Sequence, residues 1–158
     1  KGSMYEGGLR VPFIAVGPRI KPGSQSRVPV TGLDLFPTLA ELAGYAKPLP
    51  KSLDGGSLTR LLRNQGQGAV QRSNSFLLFH QAVARTAQTA LIHGDYKLVK
   101  TWRGNRLELF DLSKSVEEDI NLAEKLPGKT EELHGLMTGH LDNVGAETRK
   151  ITTKKANQ

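Results

Sequence analysis

Between Ser75 and Leu112 the sequence breaks into four short runs rich in β-formers, separated by turn signals, and no other feature narrows the fold as much. Ser75–His80, Gln88–His93, Tyr96–Trp102 and Arg106–Leu112 read as strands. Gly94-Asp95 joins the second to the third as a two-residue hairpin, and Arg103-Gly104-Asn105 supplies the next tight turn. On the third strand Tyr96, Leu98 and Trp102 share a face that Lys100 interrupts, so one side of the sheet requires an apolar cover. The cover is encoded downstream, where Leu133, Leu136, Met137, His140 and Leu141 follow the spacing of an amphipathic helical stripe. An antiparallel sheet backed by a C-terminal helix is the expected result.

The first half reads differently. Val11 to Val16 (VPFIAV) is a nearly continuous apolar run bounded by proline and glycine, the pattern of a strand covered on both faces. Pro18, Pro22, Gly17 and Gly23 make the next stretch a loop. From Thr31 a helical pattern begins, with Leu35, Leu39, Leu42 and Ala43 on one face and Gly44 placed to end it. Thr31 and Asp34 offer caps, and Pro37 sits early enough to be tolerated. A proline- and glycine-rich crossing from Ala46 to Ser57 leads to a short amphipathic segment around Leu58, Leu61 and Leu62, and residues 64–74 form a polar loop that marks a boundary. Separated from flanking strands, VPFIAV would leave an exposed edge, so residues 1 to about 60 are expected to aggregate or lose order in isolation.

Composition removes several function classes. The 158 residues hold no cysteine, which excludes disulfides, thiolate metal sites and a cysteine nucleophile within them. No apolar run approaches the roughly 18 residues of a membrane-spanning helix. The net charge of +7 favours anionic partners, but the basic residues are spread along the chain. Their one cluster, in residues 146–158, lacks aromatic side chains for stacking bases and reads as a polar tail, so nucleic acid is not an expected partner.

Five segments resemble, in order, those of the formylglycine-dependent type I sulfatases, the arylsulfatase family. The opening Lys1-Gly2-Ser3-Met4-Tyr5-Glu6-Gly7-Gly8-Leu9-Arg10-Val11-Pro12 is similar to the family's KG-x-x-x-EGG-x-R-x-P segment. GLDLFPTLAELAG, LDGGSLTRLL, HGDYKLVK with NRLELFDL, and EEDINLA are similar to its D-[IL]-x-PT helix, its DG-x-SL-x-x-LL crossing, its C-terminal hairpin and its E-x-x-NLA turn. The resemblance implies an α/β, alkaline-phosphatase-like sulfatase fold of which this is the C-terminal portion. Residues 1–70 would end the large catalytic α/β domain, 71–145 would form the small four-stranded antiparallel sheet with its helix, and 146–158 the tail. It also implies a sulfated small molecule or glycan as substrate, the rest of a sulfatase chain as partner, and a periplasmic, secreted or lysosomal-type location.

The resemblance gives Lys1 the place of the family's active-site lysine, which reaches the sulfate oxygens. A fixed ammonium suits that task, because sulfate-ester cleavage keeps negative charge on the sulfuryl oxygens. Gly2, Gly7 and Gly8 are expected to allow the turns that place this side chain, and Glu6 with Arg10, four residues apart, to pair and brace the loop. His80, at the end of the first strand, is the histidine with a route to a substrate cleft, and Arg85 in the following loop is a second candidate contact. His93, His134 and His140 read as structural or solvated.

The family's formylglycine arises from a C/S-x-P-x-R motif and works on calcium. No proline here has a serine two residues before it, and there is no cysteine. Asp142-Asn143 reads as a helix end, not as metal ligands, and Glu117-Glu118-Asp119 as a helix start or turn. Formylglycine and calcium are therefore expected from a full-length enzyme and not from this chain, which is expected to be inactive alone. A phosphodiesterase or phosphonate hydrolase of the same fold, and a non-catalytic module that captures sulfated glycan, are the alternatives.

Overall fold

The computed structural model describes residues 2–82 and 87–148. These form two compact units, one made of residues up to Val11 together with those from Phe76 onward, the other of Pro12–Ser75.

The first unit is a two-sided sheet. Strands β1 (Leu77–Gln81), β2 (Gln88–His93), β3 (Tyr96–Thr101) and β4 (Arg106–Asp111) pair antiparallel in the order β1-β2-β3-β4. The tight turns fall where the sequence puts them: Gly94 has φ 60, Gly104 φ 84 and Asn105 φ 50, all in the left-handed region that glycine and asparagine enter most cheaply. Leu91, Leu98 and Leu109 lie side by side in register on one face. Against them the helix α4 (Pro127–Asn143) presents Leu133, Met137 and Leu141, and Trp102 joins the same cluster. Each such burial removes a side chain from water at a gain of about 1.5–3 kcal/mol.

The opposite face is also covered. Ala90, Val99 and Phe110 pack under Met4, with Tyr5 and Leu9 beside it. Residues 2–11, which include the short helix α1 (Glu6–Leu9), thus group with the sheet and not with the segment that follows them.

In the second unit a 3-10 turn (Gly32–Asp34) leads into α2 (Leu35–Leu42), and α3 (Thr59–Arg63) follows the crossing. Thr31 Oγ1 accepts the Leu33 N–H at 3.2 Å while Asp34 Oδ2 accepts the Thr31 N–H at 2.8 Å, the reciprocal cap that the two residues foreshadow. Asp34 is fully buried, and Arg72 grips both its oxygens at 2.8 and 2.7 Å. The Gly56 N–H adds a third donor at 3.0 Å. Thr38 Oγ1 donates to the Asp34 carbonyl and accepts the Leu58 N–H, so the helix and the crossing are tied by polar bonds. A methyl on Gly55 would fall 2.0 Å from the Leu33 carbonyl oxygen, and one on Gly56 2.0 Å from that of Gln71. The paired glycines are therefore the price of close backbone approach.

One expectation fails here. VPFIAV is not a strand: it belongs to no sheet among the described residues, and Val11, Ile14 and Val16 are 75%, 84% and 93% exposed. A strand buried on both faces needs neighbours for its backbone groups, and no described segment supplies them. The apolar face of α2 is likewise turned to solvent at Leu35, Leu39 and Leu42, while Asp34, Pro37 and Thr38 form the buried side.

Candidate functional site

The segment that carries the lysine motif is a closed loop. Gly2 has φ 80, and a methyl on Gly8 would stand 2.1 Å from the Ser3 carbonyl oxygen, so the chain doubles back with no room for a side chain. Gly7 has open space around it and no positive φ; the expectation that all three glycines are needed for turns holds for Gly2 and Gly8 only.

Beneath this loop three charges converge. Lys97 Nζ lies 2.7 Å from Glu6 Oε1 and 2.8 Å from Glu118 Oε1. The other oxygen of Glu118 accepts the Glu6 N–H at 2.5 Å, and the other oxygen of Glu6 accepts from Arg10 Nε at 2.5 Å. The side chains of Lys97, Glu6 and Glu118 are 0%, 7% and 5% exposed. Two carboxylates thus share one lysine in a nearly dry setting, where an ion left alone would be costly, and the half-exposed Arg10 adds its charge at the rim. Burial by itself pushes the Glu6 carboxyl up, but hydrogen bonds from Lys97 and Arg10 outweigh it and hold the group below the usual carboxylate range.

Neighbouring contacts fix the rest of the loop. The Met4 N–H donates to Gln88 Oε1 at 3.2 Å. Tyr5 donates its hydroxyl to Glu108, accepts from Arg106 at 3.2 Å and meets Phe110 edge-on. Burial first and the Glu108 carboxylate second push the Tyr5 phenol up to about 12, so it stays a donor throughout the neutral range.

Of the four loop residues expected to brace this segment, Glu6 and Arg10 form the ion pair read from their spacing, and Gly8 makes the close backbone approach that Gly7 does not. Lys1 and Arg85 lie outside the described residues. His80 stands on β1, where its Nδ1 shares a hydrogen bond with Thr89 Oγ1 at 2.7 Å and its ring meets Trp102 edge-on. Its Nε2 is buried, and burial holds the imidazole below its ordinary value against a smaller effect of the Glu147 backbone. Trp102 Nε1 donates to the same Thr89 oxygen at 2.8 Å. Across that face Lys100 donates to His134 Nε2 at 2.8 Å, which makes this imidazole a neutral acceptor. Burial depresses both groups, and the Lys100 charge adds to the effect on His134. His140 meets Phe76 edge-on.

The acidic run at 117–119 is neither a helix start nor a plain turn, because Glu118 turns inward with φ 56 to reach Lys97. Two residues of the charge cluster, Lys97 and Glu118, escape a reading by elements alone. The structure gives the reason for Lys97: its strand is covered on both faces, and its register neighbours are Ile92 and Phe110, so a lysine there has to find a buried acid. The turn after β4 is pinned by Asn121 Oδ1, which accepts the N–H groups of Leu109 and Ala123 at 3.0 and 2.9 Å.

Among the described residues no three histidines, aspartates or glutamates gather in a way that could hold a metal ion. The described helices include none long and apolar enough to cross a membrane. The second unit holds a concavity of about 520 Å³ lined by Glu41, Tyr45, Lys51, Ser57 and Gln71 among others, in which the Ser57 hydroxyl donates to the Glu41 carboxylate.

Comparison with known proteins places this architecture among the sulfatases. The profile of the N-sulphoglucosamine sulphohydrolase C-terminal family matches residues 1–146. Arylsulfatase K of Xenopus laevis is 35% identical over 141 residues, which are 84% of this chain and 26% of that protein. A sulfatase of Formosa agariphila is 35% identical over 140 residues, 82% of this chain and 25% of that protein. Among solved structures, a 2-O GAG sulfatase superposes with a TM-score of 0.57 at 26% identity, covering 74% of this chain and 26% of its own. The chain spans about a quarter of the length of the curated relatives it matches.

Proposed function

The chain belongs to the N-sulphoglucosamine sulphohydrolase C-terminal family and is a sulfatase C-terminal domain, and from that premise we propose that it supplies the lysine side of a sulfate-ester hydrolysis site. The observation that supports this reading most is the convergence of Glu6, Lys97 and Glu118 beneath the lysine loop. A loop held by buried charges on a packed sheet is a rigid base for a side chain whose task is electrostatic.

In this proposal the Lys1 ammonium faces the sulfuryl group and stabilises the charge its oxygens carry through the transition state. His80 and Arg85 are proposed as further contacts to the substrate. The formylglycine nucleophile and calcium, which would provide the attacking oxygen and polarise it, come from outside these residues, and the chain alone is inactive. The likeness to a 2-O GAG sulfatase makes a sulfated glycosaminoglycan the substrate class proposed, and a net charge of +7 suits an anionic partner.

The test is release of inorganic sulfate from an aryl sulfate and from a 2-O-sulfated glycosaminoglycan oligosaccharide by the full polypeptide that carries this chain. Lys1→Ala is expected to lower kcat about 100- to 1,000-fold, the loss seen when one donor to a developing charge is removed. Unchanged turnover in Lys1→Ala, or sulfate release by the 158-residue chain alone, contradicts the reading.

A further inference from the structure

Each charge of the buried cluster belongs to a different sequence motif. Glu6 is the acid of EGG, Lys97 the lysine of GDYKL, and Glu118 the acid of the EEDINLA turn, so residues up to 112 positions apart meet at one point. Buried ion pairs contribute little net stability beyond what well-packed apolar side chains of similar volume give, but their bonds have direction and admit one arrangement. The arrangement here is over-determined. Glu118 is a non-glycine residue held at φ 56, a conformation that persists where its surroundings dictate it. Its carboxylate orients the Glu6 backbone through the N–H and the Glu6 side chain through Lys97.

We propose that Lys97 and Glu118 are positioning residues for Lys1, acting through Glu6 to fix the loop that carries it. This rests on the reading of Lys1 as the sulfate-facing lysine. Neither residue touches substrate: both are covered by the sheet and the loop, and their bonds to Glu6 are the route by which they act. A cluster whose role were confined to stability would serve equally well whether or not a lysine stood at position 1. A positioning cluster matters to catalysis only while that lysine is there.

The difference can be measured with a double-mutant cycle in the full polypeptide, which separates coupled from independent effects. Glu118→Gln keeps the shape and removes the charge. With Lys1 in place it is expected to lower kcat about 10- to 100-fold, the scale of a displacement near 1 Å at a reacting group. KM is expected to move less than about twofold, since positioning for the transition state shows in kcat. In the Lys1→Ala background the same change is expected to cost nothing further. Equilibrium binding of inorganic sulfate gives a second readout, weakened by Glu118→Gln only when Lys1 is present. Lys97→Arg, which retains the charge and alters its reach, serves as the companion variant if Glu118→Gln does not fold, with the same pattern expected. Equal losses in both backgrounds, or none in either while Lys1→Ala is crippled, overturn the positioning role and leave the reading of Lys1 standing. An unimpaired Lys1→Ala overturns both.

Discussion

The two units solve the problem of a stable interior in opposite ways. The sheet unit buries Leu91, Leu98, Leu109, Leu133 and Met137 completely and places one charged cluster on its other face. The Pro12–Ser75 unit is organised around a buried carboxylate, Asp34, clasped by Arg72 and backbone N–H groups, while Phe36, Leu39 and Leu42 face solvent. A core made of apolar contacts tolerates imprecision, because its forces lack direction. An interior made of charge-assisted hydrogen bonds has little tolerance, since losing one partner leaves the other desolvated and alone. Polar motifs such as D-L-F-P-T and D-G-G-S are therefore structural ties in one unit, whereas in the other the charged motif residues converge under the loop of residues 2–11.

The sharpest way to break this comparison is to remove one charge from each unit and follow amide exchange, which reports each unit separately. Lys97→Met leaves Glu6 and Glu118 facing each other, and Arg72→Met leaves Asp34 without its counter-ion; each is expected to cost about 3–5 kcal/mol in its own unit and little in the other. Loss of protection spread evenly over both units would refute the division. Met137→Ala, by contrast, is expected to cost about 2–5 kcal/mol in the sheet unit through cavity formation, with the amides of 12–75 unaffected.

Acidification sharpens the contrast further. His80 and His134 have depressed values, so the unfolded chain takes up protons first, and the stability they contribute is present above about pH 6.5 and lost as pH falls below it. Glu6 and Asp34 are also held low, as carboxylates, so their contribution persists above the ordinary carboxylate range and disappears only as pH falls through their depressed values. All four histidines lie in the sheet unit. Exchange measured across pH should therefore loosen the sheet unit in two stages and the other in one. At the small end, Leu39→Ser on the exposed face of α2 is expected to change stability by no more than about 0.5 kcal/mol; a larger loss in the isolated chain means that face is packed.

How far the sequence disclosed this structure follows the same divide. The four strands, both tight turns, the reciprocal cap at Thr31 and the stripe on α4 were legible because local periodicity and turn chemistry decide them. The apolar run VPFIAV misleads, because hydrophobicity says that a segment prefers a partner and not whether one is at hand. Glu6 with Arg10 could be paired from spacing alone, but Glu6 with Lys97 joins residues 91 positions apart, and the sequence pattern covered only one face of β3 whereas the structure buries both. Asp34 announced itself as a cap, while its clasp by Arg72 depends on tertiary approach across the Gly55-Gly56 crossing.

The most direct measurement is a crystal structure of the full polypeptide with inorganic sulfate bound. It is expected to show Lys1 Nζ about 3 Å from a sulfate oxygen, with Lys97 seated between Glu6 and Glu118 beneath the loop. A sulfate bound in the cleft with Lys1 directed to solvent, or the loop held without the Lys97 cluster, would contradict the account.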